Sequence, residues 1–98
     1  MRPFRNLKVA SAIEHELTQL LARDFSVPDT LVTVTDVAVD EDLLQARVKL
    51  GIIPKEKEVE TLLELEKRRR EFDHAIFKKL NIRPMPHLKF VLQQGSGQ

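Results

Sequence analysis

The sequence has 98 residues, of which 42% are hydrophobic and 32% are charged, and its formal net charge is +1 at pH 7. Such a chain favours one globular domain over disorder, and the absence of cysteine excludes disulfides and thiolate chemistry. The first residues lack the apolar stretch of a secretory signal, and no apolar run approaches the roughly 20 residues that span a bilayer. We therefore expect a cytoplasmic protein without a membrane segment.

The first predicted element is an amphipathic helix over residues 6–23. Its apolar residues recur with the helical period and form one stripe. They are Ala10, Ile13, Leu17, Leu20 and Leu21. Asn6 is a candidate N-cap, and Pro28 disfavours helix at the residue before it, so the helix ends upstream.

Two strands follow. Residues 31–39 alternate as a strand, but the apolar phase changes along them, which predicts a β-bulge near Asp36. Residues 40–42 form the turn. Residues 44–52 then alternate regularly, with Arg47 and Lys49 on the polar face, and Pro54 ends the second strand.

Residues 57–80 carry two apolar stripes separated by the entirely charged residues 66–71. The first stripe comprises Val59, Leu62 and Leu63, with Leu65 as a further candidate; the second comprises Phe72, Ile76, Phe77 and Leu80. Either two helices meet at a kink, or one helix leaves the core and returns. We favour the kink, because a single 24-residue helix is long for this domain. After a connector, residues 87–92 form a third strand, and residues 93–98 form a flexible polar tail.

The element order predicts the architecture. The first two strands pair antiparallel as a hairpin, and a helical crossover returns the third strand parallel to the second. The second strand is then central and all helices lie on one face. The prediction is a two-layer α+β domain over residues 1–92.

Positive charge is concentrated near the helix pair. Residues 67–90 contain eight cations and two anions, a balance of about +6. The cations are Lys67, Arg68, Arg69, Arg70, Lys78, Lys79, Arg83 and Lys89. With Arg2, Arg5 and Lys8 of an N-terminal basic arm, they predict contact with a polyanion. The alternative is a solvated helix surface with pairs such as Glu64–Arg68 and Glu66–Arg70.

Negative charge is concentrated elsewhere. Six acids without an intervening cation precede the second strand: Asp24, Asp29, Asp36, Asp40, Glu41 and Asp42. We expect them on the side opposite the cations, where they orient the domain on a polyanion. They lack the ligand pattern of a calcium loop, and His15, His74 and His87 are not at metal-ligand spacing. We expect no metal, no cofactor and no enzymatic activity.

The stretches LVTVTDVAVDEDLLQARVKL and KKLNIRPMPHLKF, with the basic arm and the helix pair, resemble the ribosome-binding factor A family. The resemblance implies a KH-like domain of type II, with the order α-β-β-α-α-β and a three-stranded sheet. It also implies a monomeric, non-catalytic assembly factor that binds the small ribosomal subunit and its RNA late in maturation. The family has a small residue at the helix joint, where this sequence has Arg69 or Arg70.

A glycine-rich loop, by which KH domains clamp single-stranded RNA, is absent from this sequence. Phosphate contact through charge is therefore the expected mode of RNA binding. The competing hypothesis is a protein-interaction module that docks a partner on its exposed sheet edge or polar sheet face. In that case the third strand would be an edge strand, protected by Pro86 and Lys89.

Overall fold

The structure is a computed structural model, and it describes residues 5–93. The elements in chain order are α1 (Arg5–Asp24), β1 (Leu31–Val39), β2 (Gln45–Ile53), a 3₁₀ turn (Lys55–Lys57), α2 (Glu58–Lys67), α3 (Arg69–Leu80) and β3 (His87–Leu92). This order confirms the predicted one. Arg2, and residues 94–98 of the predicted tail, lie outside the described residues.

The sheet has the predicted topology. Its strand order is β1-β2-β3, with β1 antiparallel and β3 parallel to the central β2. The predicted bulge is present: Val34 pairs with Leu50 and Asp36 pairs with Lys49, which leaves Thr35 as the extra residue. Beyond β3, the amide of Gln93, the first residue of the predicted tail, donates to the Leu50 carbonyl at 2.8 Å.

The core lies between the helices and one face of the sheet. In β2, Ala46, Val48, Leu50 and Ile52 are buried, while the intervening Arg47 and Lys49 are exposed on the other face. The helices contribute most of the other fully buried large side chains. These include Ile13, Leu17, Leu65, Phe72 and Ile76. The predicted stripes of α1 and α3 therefore form one buried cluster with the predicted inner face of β2.

Two local predictions are wrong. Asn6 lies inside α1, where its amide nitrogen donates to the Val39 carbonyl at 3.0 Å and ties the helix to the end of β1. Val59 and Leu63 are 70% and 58% exposed. The buried face of α2 instead passes through Thr61 and Leu65, because only that narrow face meets the sheet and α3.

Candidate nucleic-acid interface

The joint between α2 and α3 is the single residue Arg68. Its backbone has φ −105° and ψ 11°, its amide donates to the Leu65 carbonyl at 3.1 Å, and its carbonyl accepts from the Phe72 amide at 3.0 Å. This conformation lies in the bridge region, which residues with a side chain can occupy. The kink is therefore confirmed, and it forms without a glycine or another small residue.

The Arg68 side chain turns inward at this joint. Its guanidinium donates to both Glu71 carboxylate oxygens (2.7 and 3.1 Å) and to the Asp24 carbonyl at the end of α1 (2.9 Å). Its Cζ lies 4.7 Å from the ring centroid of Phe72. The hydrogen bond to Glu71 raises the pKa of Arg68. Arg68 thus connects α1 to α3.

Replacing Arg68 with alanine is expected to destabilise the fold by about 1–2 kcal/mol, because the hydrogen bond to the Asp24 carbonyl and the contact with Phe72 are both lost. The neighbouring Arg70 provides a matched control, since it is exposed. Arg70→Ala should change stability by less than about 0.5 kcal/mol. Urea unfolding of both variants checks this, and equal stabilities would show that the Arg68 contacts contribute nothing.

Two other cations of the run are also paired. Arg69 lies between Glu66 (3.4 Å) and Asp73 (3.3 Å), and Lys67 contacts Glu64 at 3.1 Å while staying exposed. Burial raises the pKa of Asp73. The pairs named for the alternative of a solvated surface were Glu64–Arg68 and Glu66–Arg70; in the structure Glu64 pairs with Lys67 and Glu66 with Arg69 instead.

Arg70 begins a strip of polar donors along the solvent side of α3. Arg70, His74 and Lys78 are spaced four residues apart, so each follows the last by about 6 Å along one face, and all three are exposed. Within residues 5–93, no ion pair engages Arg70 or Lys78. From the sequence, His74 was considered only for metal binding, and that role was rejected. Its four-residue spacing from Arg70 and Lys78 was the signal that it belongs to this face.

The strip continues past the end of the helix. Asn81 ends α3 in the left-handed conformation (φ 52°), and its amide donates to the Phe77 carbonyl. The chain then turns so that Cζ of Arg83 lies 5.3 Å from the ring centroid of Phe77. Arg83 is exposed but held against this ring. We call Arg70, His74, Lys78 and Arg83 the α3 strip.

The remaining predicted site residues lie on other surfaces. Arg5 and Lys8 are exposed in the first turns of α1, at the opposite end of that helix from the joint. Lys79 lines a groove between α1 and α3 with Arg23 and Glu16. Lys89 is exposed in β3, beside Arg47 of β2 on the outer face of the sheet. The predicted cations therefore do not form one patch.

The expected separation of charge holds only in part. At the joint the signs are interleaved, because Arg68 lies against Glu71 and close to Asp24. Two of the clustered acids are also paired with cations: Asp24 with Arg23 (3.3 Å) and Asp40 with Arg47 (2.7 Å). The α3 strip lies on a different element from the clustered acids.

The described residues contain no group of three or more His, Cys, Asp or Glu side chains arranged to hold a metal ion. Among the helices within residues 5–93, none is both long and apolar enough to cross a membrane.

A mixed three-stranded sheet with a kinked helix pair, in the order α-β-β-α-α-β and with helices on one face, defines the chain as a KH-like domain of the second type. Its joint carries an arginine where nucleic-acid-binding KH domains carry a glycine-rich loop. More specifically, the chain belongs to the ribosome-binding factor A family, whose sequence model matches residues 5–96.

Curated relatives support this family assignment, and solved structures share the fold. Ribosome-binding factor A of Akkermansia muciniphila is 30% identical over 92 residues, which cover 94% of this chain and 74% of the relative. That of Bdellovibrio bacteriovorus is 34% identical over 96 residues, covering 96% and 72%. The crystal structure of ribosome-binding factor A from Thermus thermophilus matches with a TM-score of 0.76 at 19% identity, covering 89% of this chain and 94% of that one.

A second Thermus thermophilus structure of ribosome-binding factor A is a homology model fitted into the cryo-EM map of a 30S complex. It matches with a TM-score of 0.69 at 22% identity, covering 95% of this chain and 96% of that one. At these identities, both Thermus structures establish the fold.

Proposed function

We propose that this chain is an assembly factor that binds the small ribosomal subunit during late maturation of its RNA, through the phosphate backbone. Membership of the ribosome-binding factor A family supports this role, as does the Thermus thermophilus relative fitted into the map of a 30S complex. The observation that carries the proposed mode of binding is the α3 strip, whose exposed donors follow one another along a single helix face.

The α3 strip suits phosphate contact for a physical reason. A guanidinium can donate two parallel hydrogen bonds to one phosphate, and Arg70 and Arg83 stand at the two ends of the strip. The Phe77 ring holds Arg83 in place before binding, so the Arg83 side chain loses less conformational entropy when it binds a phosphate. Between Arg70 and Arg83, Lys78 supplies a further positive charge and His74 supplies a ring nitrogen.

The other predicted cations have different roles in this proposal. Arg68 and Arg69 hold the helix joint, because their guanidinium groups are engaged by carboxylates. Lys67 lies on α2, on the other side of the joint, and adds a further exposed cation. We also propose Arg2, Arg5, Lys8, Lys79 and Lys89 as contacts outside the α3 strip, and those of them within residues 5–93 lie on other surfaces of the domain. The domain acts by binding alone, as a monomer and without catalysis.

Salt dependence tests this function. If about six phosphates are contacted, the logarithm of the association constant for purified small subunits should fall with the logarithm of the salt concentration at a slope of about −4 to −5. Co-sedimentation of the protein with small subunits over a salt series measures the slope. A slope close to zero would contradict phosphate contact and would favour protein docking instead. Stronger binding to precursor subunits than to mature ones would support the assignment to late maturation.

A further inference from the structure

A groove with an uncharged lining runs between the second half of α1 and the first half of β1. Its volume is about 280 Å³. The lining residues are Thr18, Leu21, Ala22, Phe25, Ser26, Thr30, Leu31, Val32, Thr33 and Val34. None of them is ionisable, although 32% of the chain is charged. Leu31 is 60% exposed at the mouth, so an apolar side chain entering the groove would be removed from water on several sides.

Within residues 5–93, the strand beside this groove is an unprotected edge of the sheet. β1 pairs with β2 on one side only, because it is the first strand in the sheet order. Natural edge strands are usually blunted by lysine, proline or a bulge. β1 contains no lysine or proline, and its bulge at Thr35 interrupts only the second half. Residues 31–34 therefore offer backbone donors and acceptors along a short, regular segment.

Carboxylates bracket this segment. Asp29 precedes it in a left-handed conformation (φ 56°), and Asp36 follows it directly after the bulge. Both are exposed, and neither forms an ion pair with a cation of the described residues. An RNA backbone would be repelled from this edge, whereas a cationic group at either end would be attracted.

We propose that the groove between α1 and β1 binds an extended segment of a partner protein, which adds to β1 as a fourth strand. The segment pairs its backbone with residues 31–34, places an apolar side chain in the groove, and carries Lys or Arg at both ends to meet Asp29 and Asp36. Strand addition of this kind obtains affinity from the backbone and specificity from alternate side chains. The surface is separate from the α3 strip, so the inference does not depend on the proposed function.

A second copy of this chain is a poorer occupant for an electrostatic reason. If two copies paired antiparallel and symmetrically over residues 31–34, Asp29 of one copy would lie beside Asp36 of the other. Like charges opposite one another destabilise an antiparallel pair. The charges around the groove therefore favour a basic partner over self-association.

Nuclear magnetic resonance with a defined probe tests the proposal. The probe is the synthetic peptide acetyl-KVTVTVK-amide, and its control has glutamate at both lysine positions. Titration of the lysine peptide into the isotope-labelled chain should shift the amide signals of residues 31–34 and of the end of α1. The glutamate peptide, and the variant Asp29→Asn/Asp36→Asn, should each bind at least about threefold more weakly. Asparagine tolerates the left-handed conformation of Asp29, so this variant should keep its turn.

A steric variant provides the second arm. Ala22→Arg places a bulky side chain on the groove lining and should reduce binding of the lysine peptide at least about threefold, because the occupant's side chain is then displaced. Ser11→Arg, at an exposed position of α1 outside the groove, should bind as the original chain does. The proposal is overturned if the lysine peptide does not bind, if Ala22→Arg binds it unchanged, if an RNA oligonucleotide shifts the same signals, or if these signals change with protein concentration alone.

Discussion

Phe72→Ala should lower the free energy of unfolding by about 3–5 kcal/mol, the largest effect that we expect from a single substitution in this chain. The Phe72 side chain is fully buried, and its ring meets that of Phe25 edge-on with the centroids 6.2 Å apart. The Arg68 guanidinium lies over the Phe72 ring, with its Cζ 4.7 Å from the ring centroid. Removing the ring leaves a cavity at the point where α1, the joint and α3 meet.

Because a domain of this size is stable by only about 5–15 kcal/mol, Phe72→Ala should remove at least about a fifth of that stability. The control is Phe72→Leu, which keeps most of the apolar volume and should cost only about 1–1.5 kcal/mol. Urea unfolding followed by circular dichroism measures both. A loss below about 1 kcal/mol for the alanine variant would mean that the joint does not depend on this ring.

The second large effect concerns binding. The triple substitution Arg70→Gln, Lys78→Gln and Arg83→Gln should weaken binding to purified small subunits on the order of 100-fold, because three charged contacts of about 1 kcal/mol each are removed together. The salt dependence should also become shallower by about 2–3 units of slope. Stability should change little, since all three side chains are exposed.

A matched triple variant separates position from total charge. Arg23→Gln, Lys49→Gln and Lys55→Gln also removes three exposed cations and also changes the formal net charge from +1 to −2. None of these residues belongs to the α3 strip. If the two triple variants lose the same affinity, binding depends on net charge alone, and the assignment of the α3 strip is wrong.

The architecture could be predicted from the sequence because hydrophobic periodicity and the residues that end helices and strands act locally. The alternation of β2 and the helical stripe of α1 follow from side-chain geometry over a few residues. The change of phase along β1 located the bulge at Thr35, since a strand that buries one face cannot change phase without an extra residue. The short connections and the right-handed crossover then left few alternatives for the sheet order.

Which side of α2 is buried was decided by tertiary contacts. Thr61 is buried and Val59 is exposed, which is the reverse of what the polarity of their side chains predicts. The direction in which α2 leaves the turn after β2 determines the face that meets the sheet. Periodicity within a ten-residue helix cannot determine that direction, because several faces carry apolar residues.

The sequence alone determined that this chain is an α+β domain of the KH-like kind with an excess of cations over residues 67–90. Only the tertiary structure decided which cations are available to a ligand. Arg68 and Arg70 are two residues apart and chemically identical, yet one is engaged by Glu71 and the end of α1 while the other faces solvent. The physical reason is that a helix turns by about 100° per residue, so neighbouring side chains meet different surroundings once the kink and the packing of α1 are in place.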